Sequence, residues 1–449
     1  MSRREDLKAL VLSQSLVSEG LQSRLDWVFF ALAAGAAAWL GWLVANVAAQ
    51  AGWAQIVMWL VFWAVLAYLL LPRLHRILTN LYVPNYFIGR SRTSDGLLGD
   101  PVNLALRGTE AQVHAAMIAS GWTRADPVTW RSSWRIVSST VLRRSYLEAP
   151  VSPLFLFGRK QDFAYQQEID GSPGKRHHVR FWKCPENWML PGGTRVDWIA
   201  AGSYDRRVGF SAFTLQITHK IDANIDLERD HIVQSVRAAN PEVTEELLRD
   251  FSTGYHSRNG GGDSIETDGD LPILDVSPLP ADGLDEVIAV THANLRPSSV
   301  AFGAVLLWVS AVTDVISAIG IVLGVDAFVR SPEIQAIDPS GEVTRVVVWV
   351  IVMLFVAISV VKALLGWLVF LGSSWARTLV LSFTVLTLFS ELLLWQSGSF
   401  DPLASGSLFG IGADILILLA LSSESSAAYV RRTRERARAR KLSREHARS

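Results

Sequence analysis

Two adjacent histidines set between arginines mark the stretch "GKRHHVRFWKCP", residues 174–185. Imidazole exchanges protons near neutral pH and ligates metals, and guanidinium grips carboxylate or phosphate, so this composition invites acid–base, metal or anion chemistry. The run "RHHVRFWK" is aromatic and β-branched between polar flanks, which predicts a strand. Neighbours on a strand point to opposite faces, so His177 goes with Val179 and Phe181, and His178 with Arg176, Arg180 and Trp182. The two imidazoles are thereby kept from sharing one metal ion. His177 reads as a core histidine. For His178, whose basicity the flanking arginines depress, two readings stay open: an anion-facing surface or a solvated edge.

A second set of ionisable residues, Asp314, Lys362, Glu391 and Asp414, stands in stretches otherwise almost free of charge. Six such stretches are visible: Leu25 to Ala49, Trp53 to Leu71, Val300 to Val325, Val346 to Leu371, Leu379 to Trp395 and Leu403 to Leu421. A helix rising about 1.5 Å per residue over such lengths crosses a hydrocarbon core of about 30 Å. A charge at mid-depth costs about 2.5–3.5 kcal/mol on insertion scales, so each of the four residues should face the bundle interior with a partner. Counting depth along the helices pairs Lys362 with Asp414, and Asp314 with Glu391. A proton or cation pathway is one reading; interhelical polar glue is the one favoured by four spans without a visible repeat.

These groups need elements to hold them. Residues 1–24 read as an amphipathic cytoplasmic arm, with Leu7, Leu10, Val11, Val17 and Leu21 at helical spacing. Residues 25–72 hold two spans, 73–298 an inserted α+β domain, 299–423 four spans and 424–449 a basic tail. The first span is longer than the apolar core of a signal peptide and reads as an uncleaved anchor. Inside the inserted segment, "VNLALRG", "SPLFLFGRKQDFAYQ" and "RVDWIAAGSYD" read as further strands of a mostly antiparallel sheet. "TEAQVHAAMIASG" and "NIDLERDHIVQSVRAAN" read as helices, the second capped by Asp222 or Asn224. "SIETDGD" faintly matches a calcium loop, but Pro272 and the missing first Asp count against it, and Asp268-Gly269 predicts a hairpin turn. The fold class expected is therefore an α-helical transmembrane protein of six spans with an inserted α+β domain.

Lys and Arg near the span ends set the orientation. Arg3, Arg4, Lys8 and Arg24 precede span one, Arg73 and Arg76 follow span two, and the tail from Tyr429 carries nine Lys and Arg against two Glu. With six spans all of these fall on one side, the cytoplasm, together with the large domain. The expected location is the plasma (inner) membrane. The tail residues Arg431, Arg432, Arg434, Arg436, Arg438, Arg440 and Lys441 would meet anionic lipid headgroups. Formal net charge is zero, so nucleic acid is not an expected partner. A single cysteine, Cys184, excludes an intrachain disulfide and reads as a half-buried thiol.

"PVNLALRGT", "SPLFLFGRKQDFAYQQ", "RHHVRFWK", "WIAAGSYDRRVGF" and "THKIDANIDLERD" follow one another in an order that resembles the LssY C-terminal domain family of bacterial membrane proteins, over about residues 99–276. Other members carry this domain beside lipid-phosphatase or DedA-type membrane modules, which implies envelope or lipid chemistry as context. The Pro-Ser-Gly-His string of lipid phosphatases is missing; "DPSGEVTR" lacks the histidine. Matched to the family strings, the polar residues implied as a site are Asn103, Arg159, Gln161, Asp162, His178, Arg180, Asp205, His219, Asp222, Asp226, Arg229 and Asp230. Among them His178, His219, Asp222 and Asp205 are the candidate catalytic groups; Arg159, Arg176, Arg180, Arg229 and Asn103 are the candidate ligand-binding groups. No spacing among them is diagnostic of a metal or cofactor, and none is assigned. Three functions follow: binding or hydrolysis of an anionic, lipid-derived ligand; a non-catalytic sensor or scaffold that self-associates or meets an envelope partner; or conduction through the last four spans.

Overall fold

The computed structural model describes residues 3–50, 52–82, 87, 89–93, 97–126, 151–169, 175–211, 215–252, 258–284, 287–288, 296–399 and 408–446. Its helices are α1 (Arg3–Gln50), α2 (Gln55–Ala64), α3 (Leu71–Tyr82), α4 (Glu110–Ala119), α5 (Ile225–Ala239), α6 (Ser298–Val329), α7 (Pro332–Ile337), α8 (Glu342–Phe370), α9 (Ser374–Gln396), α10 (Leu408–Leu421) and α11 (Glu424–His446). Its strands are β1 (Arg90–Thr93), β2 (Leu98–Pro101), β3 (Leu104–Arg107), β4 (Thr123–Arg124), β5 (Leu154–Leu156), β6 (Arg159–Lys160), β7 (Phe163–Glu168), β8 (Arg176–Lys183), β9 (Trp198–Phe210), β10 (Ile217–Ile221), β11 (Thr244–Leu248) and β12 (Leu271–Asp275). Contacts divide the chain into two units, residues 66–295 and residues 1–65 with 296–449.

The first unit is α+β. Its large sheet has the order β11-β12-β3-β9-β8-β7-β4 with β10 on β9, antiparallel except for β12 beside β3. A smaller sheet runs β2-β1-β5-β6. The strand expected over "SPLFLFGRKQDFAYQ" thus splits: Gly158 turns the chain at φ 69°, and only β7 joins the large sheet. Strand alternation sorts two cores. Val179 and Phe181 pack with Met117, Ile232 and Val236 of the helices on one face, while Trp182, Ile199 and Ala201 pack with Leu154 and Leu156 of the small sheet on the other.

Local chemistry explains the helices. Thr109 and Gln112 close a capping box on α4, and Gly121 ends it at φ 76°. Asn224, not Asp222, caps α5 by accepting from Asp226 N at 3.1 Å; Asp222 accepts from Asn224 N at 3.0 Å. The helix then lies so close to the sheet that a Cβ on Gly202 would sit 2.4 Å from Ile232 Cδ1. The hairpin expected at Asp268-Gly269 does not form with "SIET": β12 pairs β11 instead, and Asp268 takes the Arg229 guanidinium at 2.6 and 3.0 Å.

In the other unit, Gln22–Gln50, Ser298–Val329, Glu342–Phe370 and Ser374–Gln396 are each long and apolar enough to cross a bilayer; so is Gly52–Thr79, which runs on into the first unit. The expected sixth stretch is shorter: α10 has 14 residues, about 21 Å, and meets α11 at a 54° bend. Residues 401–407 lie outside the described residues. The amphipathic arm continues into the first span as one helix, α1; side chains before Gln22 are not described, nor are those of Arg440 and Lys441 in the basic helix α11.

The α6–α8 pair corrects the charge pairing drawn from depth. Lys362 Nζ meets Asp314 Oδ2 at 2.8 Å and Ser310 Oγ at 3.0 Å, rather than pairing with Asp414. A lysine stem covers about one helical turn, so equal depth is not required of its partner. Asp414 lies within electrostatic reach of Lys362, Asp314 and Glu391. A more buried ion pair, close to the span ends, was not foreseen: Arg377 Nη1 meets Asp26 Oδ1 at 2.6 Å, with Arg377 only 1% exposed.

Candidate functional site

Register places the polar residues of β8 in two cross-strand rows. Gln166, His178 and Ser203 stand directly opposite one another on β7, β8 and β9, and Glu168, Arg176 and Asp205 form the next row. Directly opposed Cβ atoms lie about 4.5–5.5 Å apart, so the side chains of each row are immediate neighbours. The small sheet covers this face and contributes Asp100 from β2. The result is a cleft of about 180 Å³ whose lining includes Asp100, Gln166, Arg176, His178, Arg180, Asp205 and His219. The loop Asn259–Gly261 and Asp263 close one side.

The floor is a hydrogen-bonded chain. Arg180 Nη1 donates to Asp100 Oδ2 at 2.8 Å, and its Nε to Ser152 O at 3.2 Å. Ser203 Oγ donates to the same Asp100 oxygen at 2.8 Å and lies 3.0 Å from His178 Nε2. His178 Nδ1 faces Asp205 Oδ2 at 3.6 Å. Asp-His-Ser in this order has the form of a nucleophile relay. Ser203, however, is fully buried and does not line the cleft, so it cannot reach a ligand. Asp205 does line it.

Electrostatics separates the members. Burial, with Arg180 next, pushes the His178 imidazole well below its usual range, so it is neutral at pH 7. Burial drives the Asp205 carboxyl up to about 7, against the pull of Arg180. Burial, followed by Arg176, lowers His219. A carboxyl near 7 beside a neutral imidazole is a group poised to exchange a proton. Arg176 also lines the cleft: its Nη2 bonds Glu168 Oε1 at 2.8 Å, while its buried Nε has no hydrogen-bond partner among the described residues.

The structure brings His178, Arg176, Arg180, Asp205 and His219 to this cleft and leaves the other candidates elsewhere. Asp222 holds the approach to α5 and sits 3.6 Å from Arg206. Asn103 bonds Gly202 through both its amide atoms, at 2.9 and 3.0 Å. Arg159 pairs with Asp162 and donates to Lys183 O. Arg229 is clamped by Asp226, Asp230 and Asp268. Each of the four has polar partners on the protein itself, away from the cleft. His178 is no solvated edge residue, since β8 is an inner strand and the ring is 4% exposed. His177 goes to the opposite face as alternation requires, where Glu228 takes it at 2.5 Å and His231 stacks on it at 4.2 Å. Asp100, Ser203 and Gln166 were missed; the i, i+2 spacing of Ser203 and Asp205 was the readable signal, whereas Asp100 arrives from a different sheet. Among the described residues no three His, Cys, Asp or Glu side chains are grouped to hold a metal ion.

One sequence comparison addresses this unit. Residues 80–271 match the family model described as the LssY C-terminus. The LssY C-terminus segment thus contains every strand from β1 to β11 and the whole lining of the cleft. No curated protein and no solved structure matches the chain. Asp100, Arg176, His178, Ser203, Asp205 and His219 all fall within the LssY C-terminus segment, and the four ionisable residues of α6, α8, α9 and α10 fall outside it.

Proposed function

We propose that the LssY C-terminus segment binds a small phosphate-bearing headgroup and performs acid–base chemistry on it, with Arg176 holding the anion and Asp205 exchanging the proton. The Arg176 guanidinium, lining the cleft directly opposite the Asp205 carboxyl that burial brings near neutrality, carries this reading. His178, Ser203, Asp100 and Arg180 form the buried chain behind Asp205 and fix its orientation. An anion bound by Arg176 would gain charge-assisted hydrogen bonds worth about 1.5–3 kcal/mol, or about 10- to 100-fold in affinity. Isothermal titration of the detergent-solubilised full chain with glycerol 1-phosphate tests it. Arg176→Gln is expected to weaken binding by about that factor; a parent protein that binds no phosphate, or a variant that binds as well as the parent, removes the anion reading.

The remainder of the chain is read as the anchor: an inner-membrane protein crossing six times, with α10 and the start of α11 as a bent sixth crossing and both ends on the cytoplasmic side. The support is the placement of Lys and Arg beside the span ends and their scarcity in the opposite loops. The basic helix α11 then faces an anionic leaflet. Alkaline phosphatase fused after Gln396 should be active and the same enzyme fused after His446 inactive; the reverse, or equal activity, contradicts this topology.

A further inference from the structure

The strand β9 is longer than its neighbour β8. Pairing with β8 ends at Asp205, and residues 206–210 continue as a two-stranded ribbon with β10 alone. Beyond the ribbon, Leu215 N donates to Ser211 O at 3.1 Å. Two large apolar side chains stand out from this end: Phe210 is 63% exposed and Leu215 42% exposed. Leu215 holds φ 58°, a left-handed conformation that branched apolar residues seldom adopt. Behind the apolar end, Arg206 and Arg207 are exposed, about 10–13 Å back at about 3.3 Å per residue.

What the ribbon meets is indicated by Gln216, whose Nε2 donates to Ala67 O at 3.0 Å. Ala67 belongs to Gly52–Thr79, a helix long and apolar enough to cross a bilayer. It lies six residues before Arg73, the first basic residue at that end, or about 9 Å along the axis. Interfacial elements bury their apolar groups about 5–10 Å below the headgroups, with cations left at the headgroup level. An apolar tip, a cationic collar one ribbon-length back, and a tie to a spanning helix at that depth agree on one occupant.

We infer that the side chains of Phe210, the last residue of β9, and Leu215, just before β10, insert into the lipid bilayer at the boundary of headgroups and acyl chains, with Arg206 and Arg207 at the headgroup level. The ribbon also carries Thr218 and His219 into the cleft lining. Its insertion therefore seats the cleft at the membrane surface, where the phosphate it receives is a lipid headgroup and not a free metabolite. The contact itself stands on the ribbon; the identity of the headgroup rests on the reading of Arg176 and Asp205 proposed above.

The thiol chemistry makes the test direct. Burial, with Asp197 adding, pushes Cys184 up to about 12, so it stays unreactive toward a maleimide at pH 7. Phe210→Cys and Leu215→Cys, each labelled with an environment-sensitive fluorophore in the full chain reconstituted in nanodiscs, should emit to the blue and be quenched by nitroxide-labelled lipids. A label at Leu247→Cys, on β11 and 43% exposed, serves as the dry-land control and should be neither shifted nor quenched. Unquenched labels at both tip positions overturn the inference, and a blue shift without nitroxide quenching overturns it too, by showing protein where lipid was expected. Phe210→Ser with Leu215→Ser should keep the glycerol 1-phosphate affinity of the parent in detergent and lose protection of the cleft by phosphatidic acid in nanodiscs. Quenching at the tip in a parent that binds no glycerol 1-phosphate would uphold the contact while removing the headgroup reading.

Discussion

Asp205→Asn is expected to make the sheet around β8 and β9 more stable than in the parent at pH 8, and much less so at pH 5. The Asp205 carboxyl is raised to about 7 by burial first, with Asp100 and Glu228 adding to the rise and Arg180 and Arg176 opposing it. An unfolded aspartate ionises near 3.9, so between about pH 4 and pH 7 the folded state holds a proton that the unfolded state has lost. Stability from this group therefore falls as pH rises through that window and levels off above the folded value. Asn keeps the neutral shape at every pH. The gain of the variant over the parent should grow by on the order of 2 kcal/mol between pH 5 and pH 8. His178 acts with the opposite sign, because its folded value is depressed and its contribution is lost as pH falls below about 6.5. That term is present in both proteins and largely cancels in the difference. Amide exchange of residues 176–183 and 198–205 reads the effect locally; parallel pH profiles for parent and variant would show that Asp205 ionises as an ordinary surface carboxylate. The same substitution should keep glycerol 1-phosphate binding and reduce any turnover of a bound headgroup by about 10²- to 10⁴-fold, the usual share of a positioned proton donor. A residue whose removal stabilises the fold and stops chemistry is held there for the chemistry.

How much of this was readable depended on distance along the chain. The period-two pattern of "RHHVRFWK" was enough to send His177 and His178 to opposite faces and to put Arg176 and Arg180 with His178, because alternation is a local property of a strand. The rows could not be read that way. They depend on register, which pairs His178 with Ser203 and Arg176 with Asp205, and register is fixed by packing far from either residue. Asp100 was invisible for the same reason, since a separate small sheet carries it over the cleft. Asp222 and Arg229 lie outside the cleft lining. Polar residues crowded before a helix resemble a ligand set, yet here the backbone N–H groups and neighbouring carboxylates use them up. Lys362 shows a limit of depth counting: its stem reaches past its own level to Asp314, and neighbours in an α6–α8 hairpin take precedence over helices matched only by height.

The largest loss of stability in the apolar unit is expected from Arg377→Met. Arg377 is 1% exposed, and one guanidinium serves three helices: Nη1 pairs with Asp26 of α1, Nε donates to Leu421 O at the end of α10 at 2.8 Å, and the residue itself belongs to α9. The carbonyl is one of the unpaired groups that every helix end exposes, and a cation there also meets the negative end of the helix dipole. Leu421 in turn packs so tightly on α6 that a Cβ on Gly303 would lie 2.6 Å from its Cδ2, so any shift of this helix end reaches a fourth helix. Removing the guanidinium leaves the Asp26 carboxylate without its partner in an apolar setting, which costs about 3–5 kcal/mol in buried pairs of this kind. Arg377→Lys should recover little, because a single ammonium cannot hold the carboxylate and the carbonyl together in the fork geometry that arginine provides. Asp26→Asn combined with Arg377→Met should recover most of the loss, since both charges are then gone. Thermal unfolding of the four proteins in lipid nanodiscs decides between a structural pair and a surface one: if the single variant loses under about 1 kcal/mol, the level of exposed salt bridges, or if the double variant falls as far as the single, the pair is not what joins α1, α9 and α10.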